Sequence, residues 1–239
     1  MSSYSKILDQ LRENARNSFF ELGLTVANIN GLTVDGYKAK RANFENSLQE
    51  AQLKTSPGKL RISGDPNDLT IYGKGFFKLK NTQGKNVYLE NLRLSLDKNR
   101  LLTSGKNIIL PETKVPIETK EIKISENGQI EAVLKHGQKK SLGKLQVVNF
   151  PREERLFFDG FSYQETKESG TPTKTKLDRF LGTFIKQGAV KTSNTDLPLG
   201  IKNFNQIKNK LSTIAQITQA VNTSQREELN SLRQTLQGI

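Results

Sequence analysis

Few residues in this chain have the types and spacing that covalent chemistry requires. His136 is the sole histidine among 239 residues and there is no cysteine, so no imidazole–thiol or imidazole–imidazole dyad can be built. Beside Gly137, His136 reads as an exposed loop residue. The acids Glu153-Glu154 and Glu227-Glu228 have the chemistry for general acid–base work. Adjacent residues on a helix or strand do not aim at one point, however, and both pairs read as solvated surface. Gly73-Lys74-Gly75 is a fragment of a phosphate-cradling loop, without the further glycines and the Lys-Ser/Thr ending that place a cradle at a helix start. Two glycines flanking a strand read instead as a bulge or a close-packed turn. These residues predict no catalytic, cofactor or metal site, no disulfide and no small-molecule substrate.

The elements that would position any site are a helical stripe at each end and a strand-like middle. Leu8, Leu11, Ala15, Phe19, Leu22, Val26 and Ile29 recur at spacings of three and four, the period of one helix face. Phe204, Ile207, Leu211, Ile214 and Val221 repeat the pattern, and it resumes one residue out of phase at Leu229, Leu232, Leu236 and Ile239. Each stripe must be buried against the other terminus, against copies of itself, or against another protein. The first helix should stop at Asn30-Gly31, with a more polar segment from Tyr37 to Glu50, and the last should start between Leu197 and Ile201.

Between about Leu60 and Gln187 the pattern changes to short apolar runs bounded by turn residues: 69–72, 75–79, 87–96, 108–110, 121–124, 130–134 and 145–150. The clearest hairpin brackets Asn127-Gly128 with alternating residues on both sides. Residues 166–175, rich in Ser, Thr, Gly and Pro, read as an exposed loop. The expected fold is mainly β with terminal α-helices, divided into 1–50, an antiparallel β domain over 51–187, and a helical segment over 188–239.

A net charge of +13 commonly signals nucleic acid, an anionic membrane or an acidic partner. Here the basic residues are scattered among acids, and the densest pairs, Lys139-Lys140 and Lys40-Arg41, are short. That distribution favours a solvated surface over a nucleic-acid interface. No apolar run approaches the roughly 18 residues needed to span a bilayer, and no basic region followed by an apolar core opens the chain. Neither membrane insertion nor a Sec signal is expected.

The order of several short motifs resembles the bacterial flagellar rod and hook proteins. Ala27-Asn28, Thr33, Gly36-Tyr37-Lys38, Arg41 and Phe44 are similar to that family's N-terminal signature. Gly73, Gly75, Phe76 and Phe77 match its Gly-x-Gly-Phe-Phe strand, and Leu101 to Gly105 its following turn. Gln187-Gly188 through Ser193-Asn194 matches the Gln-Gly-x-x-Glu-x-Ser-Asn segment before the C-terminal helix. The resemblance implies a structural subunit of the flagellar basal-body rod, exported by the flagellar secretion system and without a cofactor. It implies terminal helices that pair as a coiled coil in the wall of a helical tube, with the β domain facing outward. Its partners would be itself, other rod and hook axial proteins, and the export apparatus. Asn28 would satisfy helix-end groups and Gly36 would adopt a turn that a β-carbon resists.

The chain also departs from the family pattern. Leu24 and Thr25 stand at paired asparagines, and Tyr88-Leu89-Glu90-Asn91-Leu92 replaces a Tyr-Thr-Arg-Asp-Gly turn. These departures point to a proximal rod component or a divergent paralogue rather than the major distal subunit. A different class of reading remains: a basic adaptor or nucleic-acid-binding β domain, dimerised through its helices.

Overall fold

A computed structural model describes residues 3–44 and 48–237. Ile239, the last position of the C-terminal stripe, and residues 45–47 of the polar segment lie outside the described residues. Two compact units form from discontinuous stretches of chain: 1–30, 40–51 and 196–239 make a helical unit, and 31–39 with 52–195 make a β unit.

The helical unit holds α1 (Ser3–Asn30) and α2 (Leu197–Gln237). α1 contains no proline, and its one internal glycine, Gly23, faces open space. The start of α2 is fixed by Asp196, whose carboxylate accepts the backbone N–H of Leu199 at 3.0 Å while its carbonyl accepts that of Gly200 at 2.8 Å. Pro198 falls in the first turn, where a missing N–H costs nothing. The helices pack antiparallel, with Ile29 beside Gly200 at one end and Tyr4 hydrogen-bonded to Glu228 at the other. At 1.5 Å per residue α1 is about 42 Å long and α2 about 62 Å.

The strands follow in chain order: β1 (Lys40–Asn43), β2 (Glu50–Leu53), β3 (Leu60–Ile62), β4 (Asp68–Tyr72), β5 (Phe76–Lys80), β6 (Asn86–Leu89), β7 (Asn91–Leu96), β8 (Leu102–Ser104) and β9 (Asn107–Ile109). After them come β10 (Thr119–Ile124), β11 (Gln129–Leu134), β12 (Lys139–Lys144), β13 (Val147–Asn149), β14 (Phe157–Phe158), β15 (Tyr163–Gln164), β16 (Thr173–Lys174), β17 (Phe184–Gln187) and β18 (Ala189–Lys191). The main sheet runs β14-β15-β6-β5-β9-β8-β7-β4-β17, with β13 and β16 branching from β5. β10-β11-β12 form a separate meander, β3 pairs β18, and β1 pairs β2. Every residue-resolved pairing is antiparallel, as the hairpin-like turn spacing predicts.

Phe76 and Phe77 show how the β unit is filled. Successive strand residues point to opposite faces. Phe77 joins a core with Leu69, Ile71, Leu79, Leu102, Ile130 and Ile185, while Phe76 joins a second with Leu53, Tyr88, Phe150 and Tyr163. In the second core, edge-to-face ring contacts place Phe76 5.3 Å from Tyr163 and Tyr88 4.8 Å from Phe150.

Several local expectations are corrected. The run 87–96 is two strands, because Glu90 breaks the alternation and turns the chain between β6 and β7. The polar segment after Tyr37 contains β1 and the start of β2, and the loop 166–175 contains β16. β12 begins with Lys139-Lys140, whose polarity hides it from an apolar-pattern reading.

Candidate functional site

Two groups of residues need placing: the helical stripes and the signature motifs. On the seam between the helices, Leu8, Leu11, Ala15, Leu22 and Ile29 of α1 are half-buried, opposite Ile207, Leu211, Ile214 and Val221 of α2. The most buried α1 positions are polar, Ser18 and Thr25, in line with Leu11 at heptad spacing. Each hydroxyl bonds back to the carbonyl four residues earlier, on Asn14 and Glu21, which lets small polar side chains sit at close helix approach. An apolar scan of the sequence passes over both.

The other stripe residues are not covered by the partner helix. Phe19 is 62% exposed, and Val26 and Phe204 are also exposed. Leu229, Leu232 and Leu236 lie in α2 beyond Glu228, the residue opposite Tyr4, and are exposed as well. Phe19 and Ala15 edge an open groove of about 600 Å³, lined from α2 by Leu211, Ile214, Ala215 and Thr218. Within the same unit Phe20 packs edge-to-face on Phe44 at 6.2 Å. Ala27 is half-buried in α1.

The signature residues sort into two clamps. Asn28, read above as a partner for helix-end groups, reaches twelve residues along the chain: its amide N–H donates to the Lys40 carbonyl and its oxygen accepts the Lys40 N–H, both at 2.7 Å. The helix itself runs on to Asn30 and a 3₁₀ turn, Gly31–Thr33, so its end lies beyond Asn28. Thr33 is exposed in that turn.

The second clamp lies in the β unit and joins the segment after α1 to the segment before α2. The Gly36 N–H donates to the Lys191 carbonyl at 2.7 Å, and the Asn194 N–H to the Tyr37 carbonyl at 3.1 Å. The Asn194 side chain accepts from the Ala39 N–H at 2.6 Å and donates to the carbonyls of Lys54 and Ser56. Gly36 has a φ of +78°, as expected of a turn that a β-carbon resists, and Tyr163 donates its hydroxyl to the Gly36 carbonyl at 2.9 Å. The Tyr37 ring covers Gly31 and meets Phe158 edge-on at 5.7 Å. Gln187 ties the end of β17 to the meander, donating to the Ile122 carbonyl at 2.9 Å and accepting the Ile124 N–H at 2.9 Å. Gly188 follows at a φ of +73°, and Ser193 shares a hydroxyl–hydroxyl bond with Thr195 at 2.8 Å.

Under this clamp sits a buried ionic cluster. Lys191 Nζ lies 3.1 Å from Glu90 and donates to the Gly73 carbonyl at 3.0 Å. Lys38 Nζ lies 3.5 Å from Glu90 and pairs closely with Glu153. Glu153 is therefore a largely covered second counter-ion for Lys38 and not solvated surface, because the single Glu90 carboxylate is shared between two buried lysines. Burial, reinforced by the Glu90 carboxylate, pushes the Tyr163 phenol far above its usual value, and burial raises Tyr37 as well. Gly73 and Gly75 are close-packed: a β-carbon on Gly73 would meet the Gly182 carbonyl oxygen, and one on Gly75 would lie 2.6 Å from Val147. Lys74 between them is exposed and cradles nothing.

Among the described residues no group of His, Asp and Glu could hold a metal ion, and no helix is long and apolar enough to cross a membrane. His136 is exposed in the turn between β11 and β12. The site is thus one of clamps and helix faces.

The family model for the flagellar hook protein FlgE/F/G D1 domain matches residues 70–132, from β4 to β11. The chain is similar to the flagellar basal-body rod protein FlgG of Buchnera aphidicola subsp. Acyrthosiphon pisum, at 28% identity over 75% of this chain and 81% of the relative. FlgG of Agrobacterium fabrum is 25% identical over 71% of this chain and 77% of its own length. FlgG of Bacillus subtilis is 25% identical over 70% and 66%. The chain is similar to flagellar rod and hook proteins over most of its length.

The ionic cluster coincides with two of the motifs that carry this similarity. Set against the family motifs quoted above, Glu90 stands at an Arg position and Lys191 at a Glu position. Both charges are inverted, and the two side chains are in contact. Sequence reading marks the departure at Glu90 and passes over the one at Lys191; the shared inversion is the signal that could have paired them.

Proposed function

We propose that this chain is a structural subunit of the flagellar basal-body rod, not an enzyme, and that it self-assembles into a helical axial tube through its terminal helices. The observation that carries this reading is the helical hairpin. α2 has 41 residues and one buried side chain, Ile207, while apolar residues of both helices face solvent. Covering each large apolar side chain contributes roughly 1.5–3 kcal/mol. Head-to-tail contacts between copies extend without closing, which is how a filament grows. The kinship with rod proteins supports the same conclusion.

The assembly interface then comprises the stripe residues Leu8 to Ile29 and Phe204 to Leu236, in functional segments 1–50 and 188–239 around the β segment 51–187. The partners are further copies and other axial proteins of the basal body. A hairpin with so few buried residues opens readily, which suits export of an unfolded chain through the flagellar secretion apparatus.

The test is mass spectrometry of purified hook–basal bodies from the source organism, with a deletion strain as control. The expected result is the chain at near-stoichiometric level, and rods truncated in its absence. Polymerisation of the purified chain should also be lost on removing residues 1–30 or 204–239. A second reading rests on one observation: 27 basic against 16 acidic residues put +11 of the +13 charge in the β unit. As a basic adaptor the chain would be absent from intact particles and would bind polyanions with an affinity that falls steeply with salt.

A further inference from the structure

The β unit carries two turns whose apolar tips stand in water on a fixed backbone. At the first, between the bridge at Asp178 and β17, Phe180 is 99% exposed and Leu181 67%. The Asp178 N–H donates to the Thr183 carbonyl at 2.7 Å, and the Asp178 carboxylate accepts the Phe180 N–H at 2.9 Å. Beside it lies an aromatic platform, Tyr72 stacked on Phe184 at 4.7 Å, with the Arg179 guanidinium 5.5 Å over the Phe184 ring and held by Glu126 at 2.8 Å.

At the second turn, between β14 and β15, Phe161 is 89% exposed and Phe157 57%. Asp159 accepts the N–H groups of Phe161 at 2.9 Å and Ser162 at 2.7 Å. The two turns adjoin β17 and β14, the two ends of the main sheet's hydrogen-bonded path. Backbone hydrogen bonds within each turn hold both tips out from the sheet, and clustered aromatic residues with arginine are the composition of interface anchors.

Charge distinguishes the two. Residues 174–186 carry four bases and one acid, net +3. Residues 154–168, which leave out Glu153 because Lys38 neutralises it, carry four acids and two bases, net −2, within a unit that is strongly basic overall. Two different patches of opposite charge, each with exposed phenylalanine, are what a heterologous contact between copies requires.

We propose that the Phe157–Phe161 hairpin of one copy seats on the Phe180–Leu181 turn and Tyr72 of the next, forming a head-to-tail contact between β units. This rests on the rod-subunit reading, and adds to the helices a second surface that fixes the neighbour's register. The phenylalanine tips supply the burial, and the opposed charges select this pairing over either patch meeting itself.

The chain has no cysteine, so engineered thiols report one contact each. Phe161→Cys and Phe180→Cys chains, mixed, polymerised and oxidised, should give a disulfide-linked dimer far above the level of either chain alone, and less at high salt. Phe180→Ser with Leu181→Ser should fold normally, because both side chains are largely exposed in the monomer, yet raise the critical concentration for polymerisation by about tenfold or more. If the wild-type chain polymerises and the Ser variant does so equally, or if Phe180→Cys links only to itself, this contact is overturned while the rod reading stands. A wild-type chain that does not polymerise overturns the rod reading and the contact together.

Discussion

Lys191 and Glu90 meet 3.1 Å apart with both side chains 3% exposed, joining the segment that precedes α2 to the turn between β6 and β7. Lys38, from the segment that follows α1, shares the same carboxylate. Lys38, Lys191 and Glu90 are buried and Glu153 is largely covered, so two lysines and two glutamates neutralise one another inside the β unit and removal of one member leaves a charge uncompensated.

Replacing Glu90 by Gln should therefore cost about 3–5 kcal/mol of β-unit stability, since the buried Lys191 ammonium loses its counter-ion and Lys38 loses one of its two. Urea denaturation measures it. The Glu90→Gln, Lys191→Met pair should be strongly non-additive, with a coupling of about 0.5–3 kcal/mol. Additive losses would show that the two residues act separately.

Alkali should unfold the β unit in a way set by two tyrosines. Burial, then the Glu165 carboxylate, raises the Tyr88 phenol, and burial, then Glu90, raises Tyr163. A folded-state pKa above the unfolded value gives stability that is whole below about pH 10, the unfolded value, and is lost as pH rises beyond it. In a spectrophotometric titration these two phenols should ionise only as the near-UV circular dichroism collapses. Ionisation of all five tyrosines before that collapse would refute it.

The two glycine substitutions Gly73→Ala and Gly84→Ala separate space from backbone strain. Both positions have positive φ, +85° and +78°, so each substitution incurs about 1–2 kcal/mol of left-handed strain. Gly84 opens on empty space, whereas a β-carbon at Gly73 meets the Gly182 carbonyl and lies 2.9 Å from Thr183 Oγ1. Thermal denaturation should show a clearly larger loss for Gly73→Ala. Equal losses would mean that the close approach is unimportant.

Ile207→Ala should loosen the helical hairpin by about 2–5 kcal/mol, because it is the one fully covered α2 side chain. Leu232→Ala, exposed in the isolated chain, should leave monomer helicity unchanged. Far-UV circular dichroism against urea compares them, and a Leu232→Ala loss equal to that of Ile207→Ala would place Leu232 inside the monomer's own packing.

Repeating local signals made much of this molecule legible before folding. The three-and-four spacing of Leu8 to Ile29 and of Phe204 to Val221 locates both helices, because helix period is a property of the chain alone. Asn127-Gly128 fixes its hairpin for the same reason: turn chemistry is local. Burial is not local. Ser18 and Thr25 become the most buried α1 positions only once the rest of the helical unit packs around them, and Phe19 is left in water on the same stripe. Glu153, adjacent to a second glutamate, carries no sign in its own neighbourhood that Lys38, 115 residues away, will enclose it. Asn28, Gly36, Tyr37 and Asn194 are recognisable as motif members, but their partners are backbone groups whose positions depend on the folded chain. Sequence by itself determined both helices, most of the strands, the absence of thiol chemistry and the likeness to rod and hook proteins. Tertiary structure alone decided which charges are buried and which apolar faces stay open, since both depend on contacts between residues far apart in the chain.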